Sequence, residues 1–208
     1  DRMMGLLVGV AVVAMVFSAG CPDESQPEAI SELGPDVADE SETLPPPELA
    51  EQDEAIRISS PAFRDGEAVP EKYTADGENV SPPLEFAGVP DNAEELALVL
   101  HDPDAPVAGG FTHWVVYGMA PDLEALPEGV STDPSVDDPA LKQGTNSGDE
   151  IGYTGPAPPP GSAHHYNFTL YVLSEKLDLE PGATKDELEA AMQDTVIRKT
   201  MLTGIYSR

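Results

Sequence analysis

Apolar positions from residue 56 onward come in short runs separated by Pro, Gly and Asp, whereas the chain before that point is first wholly apolar and then almost wholly polar. "LALVLH" (residues 96–101) and "THWVVYG" (112–118) are rich in β-branched and aromatic residues and bounded by turn formers, the signature of strands. "IRISSPAF" opens the same region with a shorter run. In "YNFTLYVLS" (166–174), Tyr166, Phe168, Leu170 and Val172 fall on one face and Asn167, Thr169, Tyr171 and Leu173 on the other. Bulky groups on both faces predict an interior strand covered on both sides. Helix signals are few and late. Thr184 followed three residues on by Glu187 has the spacing of a capping box and leads into "KDELEAAMQDTVIRKTML", so a helix is predicted over 185–202. The pattern is that of a mainly β domain with one helix near its C-terminal end, with long proline-rich loops between strands.

The two preceding segments have different patterns. Arg2 precedes "MMGLLVGVAVVAMVFSAG", an uncharged apolar run that ends in small residues before Cys21, the one cysteine of the chain. Residues 1–21 therefore read as an export signal. "FSAG" followed by cysteine is similar to a bacterial lipobox, which makes Cys21 the candidate lipidation site; cleavage without lipid and an uncleaved membrane anchor are the alternatives. Residues 22–55 hold twelve acidic residues, no Lys or Arg, and "LPPPEL". Such one-signed, weakly apolar sequence reads as an extended tether holding a folded domain, 56–208, away from a membrane, with a partner-binding acidic tail as the alternative. The expected location is the cell envelope, outside the cytoplasm.

Charge narrows the partners. Ten Lys and Arg stand against 39 Asp and Glu among 208 residues, a formal charge of −29. Nucleic acid is repelled by such a surface, and the excess of carboxylates suits work in high salt.

Candidate chemistry gathers in three loops. His101, His113, His164 and His165 all lie in or beside "LHDPDAP", "GGFTHW" and "GPAPPPGSAHHY". Pro103 and Pro106 stiffen the first loop and hold Asp102 and Asp104 on it. A carboxylate beside an imidazole fixes its tautomer and favours its protonated form, and histidinium, backbone N–H groups and a tyrosine hydroxyl are together suited to an anion such as phosphate. Asp-Pro-Asp also suits a plain turn that ends a strand. Two histidines and two aspartates would equally make a metal sphere, yet no H-x-x-x-H or H-E-x-x-H spacing occurs, and no metal or other cofactor is expected. No G-x-S-x-G elbow is present.

"KYTADGENVSPPLEFAGVP", "LALVLHDPDAP", "THWVVYGM", "LPEG" and "GYTGPAPPPGSAHHYNFTLYVL", in that order, resemble the phosphatidylethanolamine-binding protein family in its bacterial and archaeal, Raf-kinase-inhibitor-like branch. The resemblance runs from Ile56 to Arg208. It implies an antiparallel β-sandwich with a C-terminal helix and a small pocket for phosphate-like or carboxylate anions. It also implies that this pocket falls on Asp102, His113, Pro156, His164 and Tyr166, with Asp104 and Pro106 supporting the first wall and Gly155 donating its amide to the anion. His165 is expected exposed and His101 outside the site. Trp114 is expected in the core, on the face opposite His113 by strand alternation.

The function this implies is a non-enzymatic module binding a small anionic or phosphorylated ligand, exported and lipid-anchored. Two other classes stay open: a hydrolase or transferase using His113, Asp102 and His164 as acid and base, and a protein-inhibitor or interaction module of the envelope.

Overall fold

A computed structural model describes residues 55–208. The export signal with Cys21 and the acidic tether read from the sequence lie outside the described residues, Ala55 excepted. Among those described, no helix is long and apolar enough to cross a membrane.

The strands are β1 (Arg57–Ser59), β2 (Leu84–Ala87), β3 (Glu95–Asp102), β4 (Phe111–Met119), β5 (Ala125–Leu126), β6 (Ser135–Asp137), β7 (Ala140–Gln143), β8 (Ala163–Leu173) and β9 (Val196–Ser207), with α1 (Lys185–Met192) before the last. They form two sheets, a small one in the order β1-β2-β5 and a large one in the order β6-β7-β4-β3-β8-β9. Every named pairing is antiparallel. The small sheet covers one face of the large one, where Ile58, Leu84, Phe86 and Leu126 pack with Leu96, Leu98, Leu100, Trp114, Phe168 and Leu170. The other face carries Ala97, Val99, Val115 and Tyr117, packed under Leu188 and Met192 of α1. Because both faces are covered, β3 is buried along nearly its whole length, and each enclosed leucine contributes about 2 kcal/mol of apolar burial. β8 is the interior strand its two bulky faces predict, paired with β3 on one edge and β9 on the other.

The helix is shorter than its sequence pattern predicts. Thr184 caps it as expected: its side chain accepts from the Glu187 amide while the Glu187 carboxylate accepts from the Thr184 amide at 2.8 Å. It stops at Met192, and most of the remaining predicted helix is β9. Val196, Ile197, Thr200, Thr203 and Ile205 are β-branched, and β9 pairs with β8 along all of β8, an outcome that local propensity does not reveal.

Candidate anion-binding site

Strand ends bring three polar side chains to one place. Asp102 closes β3, His164 opens β8, and His113 lies near the start of β4. His113 owes its direction to a bulge. Leu100 pairs with Trp114, but the next pair is His101 with Thr112, leaving His113 as the extra residue of β4. Alternation is broken there. Trp114 enters the core between the sheets with Tyr166, and the His113 ring stands edge-on against Tyr166 at 5.2 Å. The expected burial of Trp114 is found, but not its separation from His113 onto opposite faces, because alternation assumes a regular ladder.

The two buried imidazoles have different supports. His164 Nδ1 lies 2.7 Å from Asp102 Oδ2, and the other carboxylate oxygen accepts the Asp104 amide at 2.8 Å. His113 Nδ1 instead donates to the Thr154 carbonyl at 2.9 Å. Burial outweighs that carbonyl and the nearby Asp102 charge, and lowers the His113 pKa to about 4. A neutral ring with its proton on Nδ1 presents a bare lone pair at Nε2. The Tyr166 hydroxyl is the one buried side-chain polar atom without a hydrogen-bond partner among the described residues. The Asp102 carboxylate and the Ala157 backbone are its polar neighbours, and burial raises its pKa. Among the described residues the Nε2 atoms of His113 and His164 have no hydrogen-bond partner, and both rings line one cavity.

That cavity has a volume of about 290 Å³. Asp102, His113 and His164 form its polar part; Pro106, Val107 and Phe111 line one side, and Ala157, Pro158 and Pro159 another. No Lys or Arg lines it. Among the described residues no group of three or more His, Cys, Asp or Glu is disposed to hold a metal ion.

Three residues expected at the pocket do not line it, and a fourth lines it differently. The Asp104 carboxylate turns outward to His165, accepting its amide at 2.8 Å and meeting Nδ1 at 2.6 Å, which lowers the Asp104 pKa. His165 is exposed, as expected, and this pair explains its direction. Pro156 is buried against the opposite loop, its carbonyl accepting the Ala75 amide at 3.0 Å. Tyr166 stands behind His113. Gly155 does line the cavity, but its amide donates to Asn79 Oδ1 at 2.7 Å and is not available to an anion. What requires glycine there is closeness: a Cβ would lie 2.7 Å from the Tyr73 carbonyl oxygen. His101 stays outside the site, its Nδ1 3.2 Å from the Thr112 hydroxyl.

Sequence reasoning missed Asn79, Thr154 and the apolar lining at Val107, Phe111 and Pro158. Asn79 carried one signal, as an asparagine in a Gly-Glu-Asn turn, and it does adopt a left-handed φ of 57°. The far side of the proline-rich wall is tied down as well: Asp76 receives Arg208 through two contacts of 2.7 Å and the Tyr206 hydroxyl at 2.9 Å.

Two packed antiparallel sheets with a buried Asp-His pair at the mouth of a proline-walled cavity define a small β-sandwich binding protein. The phosphatidylethanolamine-binding protein family model matches residues 59–207, and the chain belongs to that family. A UPF0098 protein of Pyrococcus abyssi is 44% identical over 158 residues, which is 75% of this chain and 87% of that one. Its counterpart in Methanothermobacter thermautotrophicus is 44% identical over 153 residues, covering 74% and 99% of the two chains. Among solved structures, the family homologue CT736 of Chlamydia trachomatis superposes with a TM-score of 0.68 at 37% identity, covering 74% of this chain and 98% of that one. Escherichia coli YbcL, described as a new member of the mammalian family, superposes with a TM-score of 0.66 at 25% identity over the same shares.

Proposed function

We propose that the domain binds the anionic end of a small ligand, phosphate-like or carboxylate, in the cavity between β3, β4 and β8, without transforming it. One observation carries this reading: two imidazoles from different strands open their free nitrogens on the same cavity, and one of them is backed by a buried carboxylate. Asp102 holds the Nδ1 edge of His164 at 2.7 Å and leaves its Nε2 edge to meet an oxyanion in the cavity. Proteins of this family are in general binding proteins rather than catalysts, which supports the non-enzymatic reading.

The N-terminal sequence supports an exported protein held at the cell envelope by a lipid on Cys21. Mass spectrometry of membrane-fraction protein is expected to find Cys21 acylated, with loss of membrane association in Cys21→Ser.

Calorimetric titration of the full chain with inorganic phosphate and phosphoethanolamine tests the pocket. Saturable binding lost in His164→Ala is the expected result. Absence of binding in a folded wild type overturns the reading.

A further inference from the structure

The proline-rich wall of the cavity takes its place from a carboxylate that does not line it; the argument rests on the cavity being the binding site. Thr154 is held to β4 in both directions: its amide donates to the His113 carbonyl at 3.0 Å, and its carbonyl accepts from His113 Nδ1 at 2.9 Å. The next two residues are held from the other side by the segment 75–79. There the Ala75 amide donates to the Pro156 carbonyl at 3.0 Å, and Asn79 Oδ1 accepts from the Gly155 amide at 2.7 Å. Asp76 fastens that segment to the end of β9. Arg208 donates from Nε and Nη2 to its two carboxylate oxygens, each at 2.7 Å, and the Tyr206 hydroxyl donates to one of them at 2.9 Å. We infer that Asp76 is a positioning residue for the cavity: gripped by Arg208 and Tyr206, it presses 75–79 against Gly155 and Pro156 and so keeps Thr154 where it orients the His113 ring.

The geometry distinguishes this contact from an ordinary surface ion pair. Exposed pairs contribute little as a rule, but a two-pronged guanidinium fixes direction as well as distance, and the Tyr206 hydroxyl makes a network of it. Arg208, and after it Tyr206, hold the Asp76 carboxyl below its usual range. The segment behind Asp76 is folded tightly, with no room for a Cβ at Gly77 beside the Glu71 carbonyl, so it moves as a unit. Arg208 also reaches the far end of the wall, where its carbonyl accepts the Gly161 amide at 3.2 Å. Residues 155–161 are thus tied to the end of β9 at both ends. Tyr206 is moreover the register partner of His164 on β8, which places the wall and both imidazoles on one frame.

Arg208→Gln with Tyr206→Phe, made together in the full chain, releases Asp76 without altering the segment, the wall or the lining. By hydrogen exchange, the Ala75 and Gly155 amides are expected to lose about 10-fold of their protection while Val99 and Leu170 in the large sheet keep theirs. The side-chain ¹⁵N signals of His113 are expected to shift from those of wild type, and inorganic phosphate to bind about 10-fold more weakly. Arg208→Lys, which keeps the charge and loses the second prong, is expected to fall between wild type and the double variant in all three measurements. Wild-type protection at Ala75 and Gly155, or wild-type His113 signals, in the double variant overturns the inference. Protection lost equally at Val99 and Leu170 overturns it as well, since that reports a general loss of stability. The exchange and ¹⁵N measurements need no ligand, so a wild type that fails to bind phosphate overturns the binding reading while they still decide the role of Asp76.

Discussion

Asp102 Oδ2 holds His164 Nδ1 at 2.7 Å where both side chains are about 95% enclosed. The pair spans β3 and β8 and fixes Nε2 as the edge of His164 that the cavity meets. Asp102→Asn keeps the shape but removes the counter-charge, and phosphate affinity is expected to fall about 10- to 100-fold. Asp102→Ala also strips the Asp104 amide of its acceptor and is expected to cost about 1–3 kcal/mol of stability, read by urea unfolding. Unchanged phosphate titrations in both variants would sink the assigned role.

His113 makes folding sensitive to acid. Its folded-state pKa of about 4 lies below the 6.5 of a free ring, so between those values the unfolded chain takes up a proton that the folded one refuses. The His113 contribution is therefore complete above pH 6.5 and lost progressively down to pH 4, by about 3 kcal/mol in all. Unfolding free energies of wild type and His113→Gln, measured from pH 7.5 to 4, are expected to converge by that amount; parallel curves would contradict it.

Gly155→Ala places a methyl against the 73–75 backbone and pushes the proline-rich wall outward. A stability loss of about 1–3 kcal/mol is expected. Phosphate binding should weaken with it, because the displaced loop carries the Thr154 carbonyl that orients His113. Retained affinity in a destabilised protein would separate the wall from the site.

Thr184→Ala removes the cap of α1 and is expected to cost about 1 kcal/mol. The helix covers the sheet face away from the small sheet and supplies no residue of the cavity lining, so the phosphate titration should not move. A changed affinity there would reveal coupling through the sheet.

The strands that alternate or run apolar, β3, β4 and β8, were legible because burial on a sheet leaves a local pattern. The helix end was not. "VIRKTML" after Met192 is compatible with either state on its own, and its pairing with β8 decides. In the site, Asp102, Pro106, His113 and His164 came from motifs and do line the cavity. The directions of Asp104 and the Gly155 amide depend on His165 and Asn79, partners 61 and 76 residues away that no local pattern names.

The extra residue in β4 also sets a constraint on how this protein can change. Removing Thr112 would let β3 and β4 pair in step from Leu98 to Asp102, gaining regularity there while turning the His113 imidazole out of the cavity. Perfect pairing and a working pocket are thus alternatives for this stretch of chain. A single-codon deletion of Thr112 should yield a protein that folds and yet has lost its ligand, with His113 still in the chain.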